Sequence, residues 1–145
     1  MVVSAEQKAL IQGAWTPIYA GNRFQLGVDI FAHFFKAHPN YANLFPSLVG
    51  VPNPSTSVEL RGHAIRVLTG INYFVAALDE KKPVIMEMIH NMARSHKPRK
   101  LTREHFAQFA PVLFDTIGVS GPARDAFLPY YNFIADNLFA EMGKL

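Results

Sequence analysis

Six histidines, at positions 33, 38, 63, 90, 96 and 105, are the side chains best suited to bind a transition metal at neutral pH, because the chain contains no cysteine. His33 and His38 are five residues apart and do not share a helix face, and no ligands cluster at the short spacing of a structural zinc site. HEXXH, Gly-Xaa-Ser-Xaa-Gly and phosphate-binding glycine motifs are absent. The sequence therefore gives no support to zinc, hydrolase or nucleotide chemistry.

His63 and His96 are the two histidines whose positions suggest chemistry. His63 falls near the start of one apolar helical pattern and His96 near the end of another, 33 residues later. Two such helices could turn these imidazoles toward each other. A flat iron macrocycle between them needs one imidazole on the iron and a dry pocket with a polar donor on its other face. A histidine beside an apolar stripe is more often a surface or satisfied core residue, so the spacing alone does not establish a metal site.

Apolar residues recur every three or four positions in six segments, which predicts six helices and an all-α fold. These helices are expected to begin near Ser4, Gln25, Thr56, Pro83, Thr102 and Gly121. The second ends before Pro39, the fourth before Pro98 and the fifth at Gly118. The prolines between Pro39 and Ser57 predict a connection without a long regular element.

Capping-box spacing predicts how two of these helices begin. Ser4 with Gln7 starts the first helix, and Thr56 with Glu59 starts the third, which carries His63. In each pair the hydroxyl caps the helix by accepting from the backbone amide three residues later. The side chain of that later residue accepts in turn from the backbone amide of the capping residue. Thr102 is a further expected cap, at the start of the fifth helix.

Length and composition predict one packed domain spanning residues 1–145. Half of the residues are apolar and 17% are charged, which favours a globule over a disordered chain. The net charge of +3 is too small to indicate nucleic acid as the main partner. Neither a signal peptide nor a membrane-spanning run is evident. With the lack of cysteine, these features lead us to expect a cytoplasmic protein without a membrane partner.

Four segments, in the same order and spacing, resemble the globin family. They are the first helix with Trp15, the run FFKAHPNYANLF ending at Phe45, ELRGHAIRVL around His63, and SHKPRKLTREHF around His96. The resemblance covers nearly the whole chain and implies the globin fold, a helical sandwich around a pocket for haem b. The AWTPIYAGNR-like opening is most similar to intracellular invertebrate globins, particularly molluscan ones. Phe31 departs from the leucine common in vertebrate myoglobin.

The resemblance also implies which side chains form the haem pocket. His96 is implied as the proximal iron ligand, with Ser95 or a backbone carbonyl accepting from its other nitrogen, and His63 as the distal residue. The remaining implied pocket residues are Phe31, Phe45, Arg66, Val67, Met92, Phe106 and Phe109. Phe45 would stack on the macrocycle. Arg66 has two interpretations, a solvated side chain or a partner of a haem carboxylate, and the same holds for the basic cluster of Arg94, Lys97, Arg99, Lys100 and Arg103.

Reversible oxygen binding for transport or storage is the function that the resemblance implies, without a primary enzymatic role. Oxygen and other diatomic gases are the implied partners, and a homodimer or larger globin assembly is an open alternative. Competing functions are a globin peroxidase or nitric oxide dioxygenase, and a six-coordinate sensor in which His63 itself binds iron. A helical interaction module without haem is the remaining alternative.

Overall fold

The computed structural model describes residues 2–145, apart from the side chain of Ser55. Within this range the α-helices are α1 (Ala5–Ala20), α2 (Arg23–Ala37), α3 (Val58–Ala76), α4 (Lys82–His96), α5 (Arg103–Ile117) and α6 (Gly121–Gly143). Short 3-10 helices occupy Pro39–Leu44, Pro46–Leu48, Pro54–Thr56 and Ala77–Asp79. Residues 2–145 contain no strand, so the predicted all-α fold is confirmed.

The predicted caps of α1 and α5 are confirmed. The Ser4 hydroxyl accepts from the Gln7 amide at 3.1 Å, and the Gln7 side chain accepts from the Ser4 amide at 2.8 Å. Thr102 caps α5 in the same way, with His105 in the position that Glu or Gln usually takes. Gly118 ends α5 in the left-handed conformation, with φ of 77°, that glycine adopts without strain.

The predicted start of α3 is wrong by one residue. Ser57 is the N-cap, and its hydroxyl accepts from the Leu60 amide at 3.3 Å. Thr56 instead closes the preceding 3-10 turn, where its hydroxyl donates to the Asn53 carbonyl at 2.8 Å. Thr56 and Ser57 both have a hydroxyl that could cap α3. The Thr56 hydroxyl is used in the 3-10 turn that begins at Pro54, so Ser57 caps the helix.

The connection between α2 and α3 contains no long helix, as predicted. Each of its three 3-10 helices begins with a proline, because a residue without an amide hydrogen is tolerated where that hydrogen would have no partner in the helix. At its other end, α2 begins at Arg23, two residues earlier than expected. The Asn22 side chain caps it by accepting from the Gln25 amide at 3.2 Å.

Two buried clusters meet at the face of α5 that carries Phe109. The larger cluster draws buried residues from all six α-helices. Its two large polar aromatic side chains are paired: the Trp15 indole donates to Asn72 at 3.0 Å and the Tyr130 hydroxyl to the Phe74 carbonyl at 2.6 Å. The smaller cluster lies where α2 packs on α3 and α5. Phe109 packs against both clusters. Between residues 2 and 145 no helix has the length and apolar character needed to cross a bilayer.

Candidate functional site

His63 of α3 and His96, the last residue of α4, are close enough for the charge of one imidazole to affect the other. Burial is the largest cause that lowers the pKa of His63 to about 4, and the positive charges of Arg66, Arg99 and His96 lower it further. His63 is therefore neutral at physiological pH and carries one N–H donor. We call the region around these two imidazoles the histidine pocket.

Aromatic rings hold the His63 side chain on two sides. The Phe31 ring centroid lies 5.3 Å and the Phe45 centroid 5.0 Å from that of the imidazole, both in edge-to-face arrangements. Within residues 2–145, no protein group makes a hydrogen bond to either ring nitrogen of His63. A half-buried imidazole with a free donor is thus available to a ligand.

His96 is oriented by its own helix. Its Nδ1 lies 2.8 Å from the Met92 carbonyl oxygen and 3.1 Å from the Ser95 hydroxyl. Because a carbonyl only accepts, Nδ1 carries the hydrogen and Nε2 keeps its lone pair for a metal. Burial lowers the pKa of His96, the Met92 hydrogen bond opposes that effect, and Arg99 adds to it. Both of the expected acceptors for this nitrogen, a backbone carbonyl and the Ser95 hydroxyl, therefore lie within hydrogen-bond distance of it.

Arg66 and Arg99 approach the histidine pocket from different elements, since Arg66 lies on α3 and Arg99 in the loop after α4. Both side chains are exposed, and the charge of each lowers the pKa of His63. No acidic residue occurs between Glu59 and Asp79 or between Glu87 and Glu104, so the segments that carry both histidines are rich in positive charge. This rim suits a ligand with carboxylate groups.

Arg99 is the pocket residue that the sequence did not single out. The sequence offered it only as one of five residues in a basic cluster, with solvated side chains and partners of a carboxylate as the two interpretations, and only its position three residues after His96 distinguishes it. In the structure its guanidinium donates to the Ser95 carbonyl, which holds the side chain beside the end of α4. Its charge then acts on both histidines.

The apolar residues predicted for the site differ in how closely the structure brings them to the histidines. The Phe31 ring is buried and contacts both Phe45, at 5.9 Å, and Phe109, at 5.6 Å. Val67 and Met92 lie one helical turn from His63 and His96, respectively. Phe45, Val67, Met92, Phe106 and Phe109 all remain only partly buried. Apolar side chains left incompletely covered beside two imidazoles are typical of a pocket for a large apolar group.

Phe106 was predicted to lie in the pocket, but its ring packs against rings of α6 and not against the histidines. Its ring packs edge-on against Phe139 at 5.3 Å and near Tyr131 at 6.4 Å, on the α6 side. It belongs to the larger cluster, together with Met92. A role of Phe106 in the site therefore depends on the size of the group that the pocket holds.

Two surface clefts, of about 350 and 390 Å³, lie on either side of α2. One is lined by residues of α2 and the proline-rich connection, and the other contains His33, Asp115 and Thr116. His33 already pairs with Thr116 at 2.9 Å, and Asp115 pairs with Arg124 at 2.6 Å. Neither cleft contains a residue of the histidine pocket.

Known proteins similar to this chain are found both by sequence and by structure. The sequence model of the family described as Globin matches residues 28–141. Globin-1 of Petromyzon marinus is 29% identical over 119 residues, which cover 79% of this chain and 78% of that protein. Globin CTT-VI of Chironomus thummi thummi is 28% identical over 134 residues, covering 87% and 80%.

Solved structures with the same fold include the haemoglobin of the botfly Gasterophilus intestinalis. Its TM-score is 0.88 at 19% identity, covering 97% of this chain and 99% of that one. A Drosophila melanogaster globin has a TM-score of 0.84 at 20% identity, covering 95% and 94%. These likenesses show the fold. A specifically molluscan resemblance stays a prediction.

Proposed function

The chain belongs to the globin family, and we propose that it holds one haem b through His96 and binds oxygen reversibly on the side of His63, for transport or storage rather than catalysis. One observation carries this proposal. The Nδ1 hydrogen bond of His96 to Met92 leaves Nε2 free, and a neutral His63 without a protein partner lies within electrostatic range of it. When bound, haem supplies a ferrous iron with an open position for a diatomic gas.

His96 acts through the hydrogen bond at its far nitrogen. The Met92 carbonyl fixes the tautomer and the plane of the ring, and it makes Nε2 more basic. The Ser95 hydroxyl donates to the same carbonyl at 2.9 Å, so both contacts tie the imidazole to the last turn of α4. A ligand held in this way stays neutral and pre-oriented, which a metal-binding imidazole requires.

His63 acts as a donor to a polar ligand. A gas molecule that gains partial negative charge accepts the imidazole N–H, and a hydrogen bond of this kind contributes about 1 kcal/mol. Carbon monoxide gains less charge and so benefits less. Phe31 and Val67 keep water away from that donor, because both present apolar surface beside it. By excluding water from the site, these two residues would help to keep a bound haem in the ferrous form that binds oxygen.

The residues fit a haem at the rim as well as at the centre. Haem has an apolar body and two carboxylates, and this chain supplies partly buried aromatic side chains together with two exposed arginines near His63. Arg66 and Arg99 would each pair with a haem carboxylate as an exposed ion pair. Phe45 would stack on the macrocycle, with Phe106 and Phe109 along its edge.

A six-coordinate form is the competing candidate. A Drosophila melanogaster haemoglobin that shares this fold is described as hexa-coordinate, as is a haem protein from an anhydrobiotic tardigrade. In this chain the equivalent state would require an His63 nitrogen on the iron. The edge-on contacts of Phe31 and Phe45 hold the His63 ring and resist its movement, which favours the open form.

Titration of the apoprotein with haemin, followed by absorbance, tests the proposal. We expect a sharp break at one haem per chain. His96→Ala should abolish the tight phase or leave a loosely held haem that added imidazole rescues. His90→Ala is the matched control, because His90 lies six residues earlier on α4 and pairs with Glu141 at 3.2 Å. Loss of haem from His90→Ala, with retention by His96→Ala, would contradict the assignment.

A further inference from the structure

The end of α4 that carries His96 is held mainly by local hydrogen bonds. The His96 imidazole and the Ser95 hydroxyl both bond to the Met92 carbonyl, and the Arg99 guanidinium donates to the Ser95 carbonyl. Each of these bonds joins residues three or four apart. They fix the imidazole relative to the last turn of α4, but they do not fix that turn relative to the rest of the molecule.

Lys97 connects this segment to a distant part of the chain. Its Nζ donates at 2.9 Å to the carbonyl of Met142, which lies 45 residues later in the last turn of α6. Among the described residues, no other hydrogen bond links residues 92–99 to another helix. Because Lys97 directly follows His96, this bond ties the turn that carries the imidazole to α6.

The Met142 carbonyl is a suitable acceptor for a lysine. It is one of the last four carbonyls of α6, which have no amide partner one turn later within the helix. The Leu145 amide approaches the same oxygen at 3.3 Å, and a carbonyl oxygen can accept both bonds. The negative end of the helix dipole also favours an ammonium group there. Since the Met142 side chain is buried in the larger cluster, this acceptor is itself held in place.

The packing of α4 brings Lys97 to this acceptor. Ile85, Ile89 and Ala93 are fully buried in the larger cluster and are four residues apart, so they form one stripe along the helix. Lys97 is the next position of that stripe. Ala93 contributes only a methyl group to the packing at this end, and the Lys97 hydrogen bond adds a directional contact beside it.

The local sequence does not by itself favour the helical conformation of Lys97. Pro98 follows it, and a residue before proline usually adopts extended backbone because the proline ring crowds the helical form. Lys97 is nevertheless helical, with φ of −51° and ψ of −41°, and its amide donates to the Ala93 carbonyl at 2.9 Å. The long-range bond of its side chain therefore acts at the residue where the sequence favours an end of α4.

A second polar contact joins α4 to α6 farther from His96. His90 Nδ1 lies 3.2 Å from the Glu141 carboxylate, which also pairs with Lys144 at 3.0 Å. Glu141 and Met142 are neighbours, so the two contacts reach the same turn of α6 from different parts of α4. The contact of His90 joins the helices without acting on the turn that carries the imidazole. It therefore provides a comparison for the contact of Lys97.

We propose that Lys97 is a positioning residue for His96, which it holds through the Met142 carbonyl in the geometry that a metal ligand needs. This inference rests on the proposed haem. While the last turn of α4 is held, the Met92 carbonyl keeps accepting from Nδ1 of His96, and that bond makes Nε2 more basic. A more basic ligand gives the iron more electron density to share with a bound gas. Lys97 acts on oxygen binding only through His96.

Hydrogen exchange of the haem-loaded protein tests whether Lys97 holds the last turn of α4. Lys97→Met keeps a side chain of similar length and removes the donor, so the amide hydrogens of this turn should exchange about fivefold faster. Lys97→Arg retains a donor and should restore the wild-type rate. Glu141→Ala is the control, because it removes the other polar contact between α4 and α6 and should leave exchange in this turn unchanged.

Resonance Raman spectroscopy of the reduced protein without oxygen supplies a second readout, the stretching band of the bond between iron and His96. Lys97→Met should move this band to lower frequency, because a weaker hydrogen bond at Nδ1 makes Nε2 a poorer ligand. Lys97→Arg should return the band to the wild-type position, and Glu141→Ala should leave it there. General loosening of the fold lowers the melting temperature but does not explain a band that moves only in Lys97→Met.

An unmoved band or unchanged exchange in Lys97→Met would overturn the proposal. Equal changes in Lys97→Met and Glu141→Ala would also overturn it, because any contact between α4 and α6 would then serve as well. These outcomes are distinct from failure of the proposed function, which the haemin titration reports. Protein that binds haem through His96 but has the same band in wild type and Lys97→Met contradicts only the role of Lys97.

Discussion

Gly27 of α2 lies so close to Ala64 of α3 that a Cβ added to Gly27 would stand 3.0 Å from the Ala64 Cβ and 3.2 Å from its carbonyl carbon and oxygen. Two helices cross this closely only where one of them has no side chain. Ala64 is fully buried and directly follows His63. The crossing therefore determines how far His63 stands from α2 and from the ring of Phe31.

Gly27→Ala should destabilise the protein by about 1–3 kcal/mol, because the new methyl group meets backbone atoms that cannot move aside without shifting a helix. Gly70→Ala is the matched control in the interior of α3, where an added Cβ would meet nothing within 4 Å. That variant should be neutral or stabilised by up to about 1 kcal/mol through helix propensity. Denaturant unfolding measures both, and equal stabilities of the two variants would contradict the close crossing.

Arg99→Ala should release haem about two- to fivefold faster than the wild type, the effect expected for an exposed ion pair worth about 0.5–1 kcal/mol. Arg94→Ala serves as the control, since Arg94 is also exposed and its charge does not shift the pKa of either histidine. Transfer of haem to an excess of an apoglobin acceptor gives the rates. If both variants release haem at the same rate, Arg99 has no specific role at the rim.

His63→Leu should speed oxygen dissociation by about fivefold or more, because a hydrogen bond worth about 1 kcal/mol is lost. Autoxidation should also become faster, while carbon monoxide affinity changes less. His63→Gln retains an N–H donor, so its oxygen dissociation rate should lie between those of the wild type and His63→Leu. Stopped-flow and flash-photolysis kinetics provide the comparison, and unchanged oxygen dissociation in His63→Leu would assign the donor to another group, such as Arg66.

The apoprotein should lose stability as pH falls from about 6.5 toward 4. Burial lowers the pKa of His63 to about 4, so in this window the unfolded chain takes up a proton that the folded chain refuses. His96 acts in the same direction because burial lowers its pKa too. Between pH 7.5 and 5, His63→Leu should lose about 1–2 kcal/mol less stability than the wild type, allowing for solvent screening.

Urea unfolding of the two apoproteins at both pH values measures this difference. The control variant His33→Leu removes an exposed histidine outside the histidine pocket. The difference between its unfolding free energies at the two pH values should match that of the wild type. Parallel pH profiles for His63→Leu and the wild type would show that the environment of His63 does not oppose its protonation.

Phe31→Leu should open space beside His63, because the smaller side chain withdraws a ring that lies 5.3 Å from the imidazole. We expect faster oxygen binding and faster reaction of the oxygenated protein with nitric oxide. Phe35→Leu is the control, since Phe35 contacts the Phe31 and Phe45 rings and makes no ring contact with His63. Both variants should lose about 1 kcal/mol or more of stability through the cavity. A Phe31→Leu protein with unchanged kinetics would restrict Phe31 to packing.

The sequence predicted local features better than those that depend on the tertiary fold. The caps at Ser4 and Thr102 could be predicted because their hydrogen bonds join residues three apart. The start of α3 could not, because Thr56 and Ser57 offer equivalent hydroxyls and the preceding turn chooses between them. The spacing of residues in the sequence does not show which of the two hydroxyls caps the helix.

The site shows the same limit. His63 and His96 were singled out from helical spacing and the family resemblance. The acceptor of His96 was expected only as Ser95 or some backbone carbonyl, and the structure identifies the carbonyl as that of Met92. Arg99 was not singled out, because its approach to His63 depends on how the loop after α4 folds against α3.

The absorption spectrum of the reduced protein, recorded under argon, then under oxygen and again under argon, tests the central claim most directly. If His96 holds a haem whose other face is open beside His63, the argon spectrum has the single broad visible band of five-coordinate ferrous haem. Oxygen then splits that band in two, and argon restores it. A spectrum that is already split and sharp under argon would contradict the open face, and one without haem absorbance would contradict the whole account.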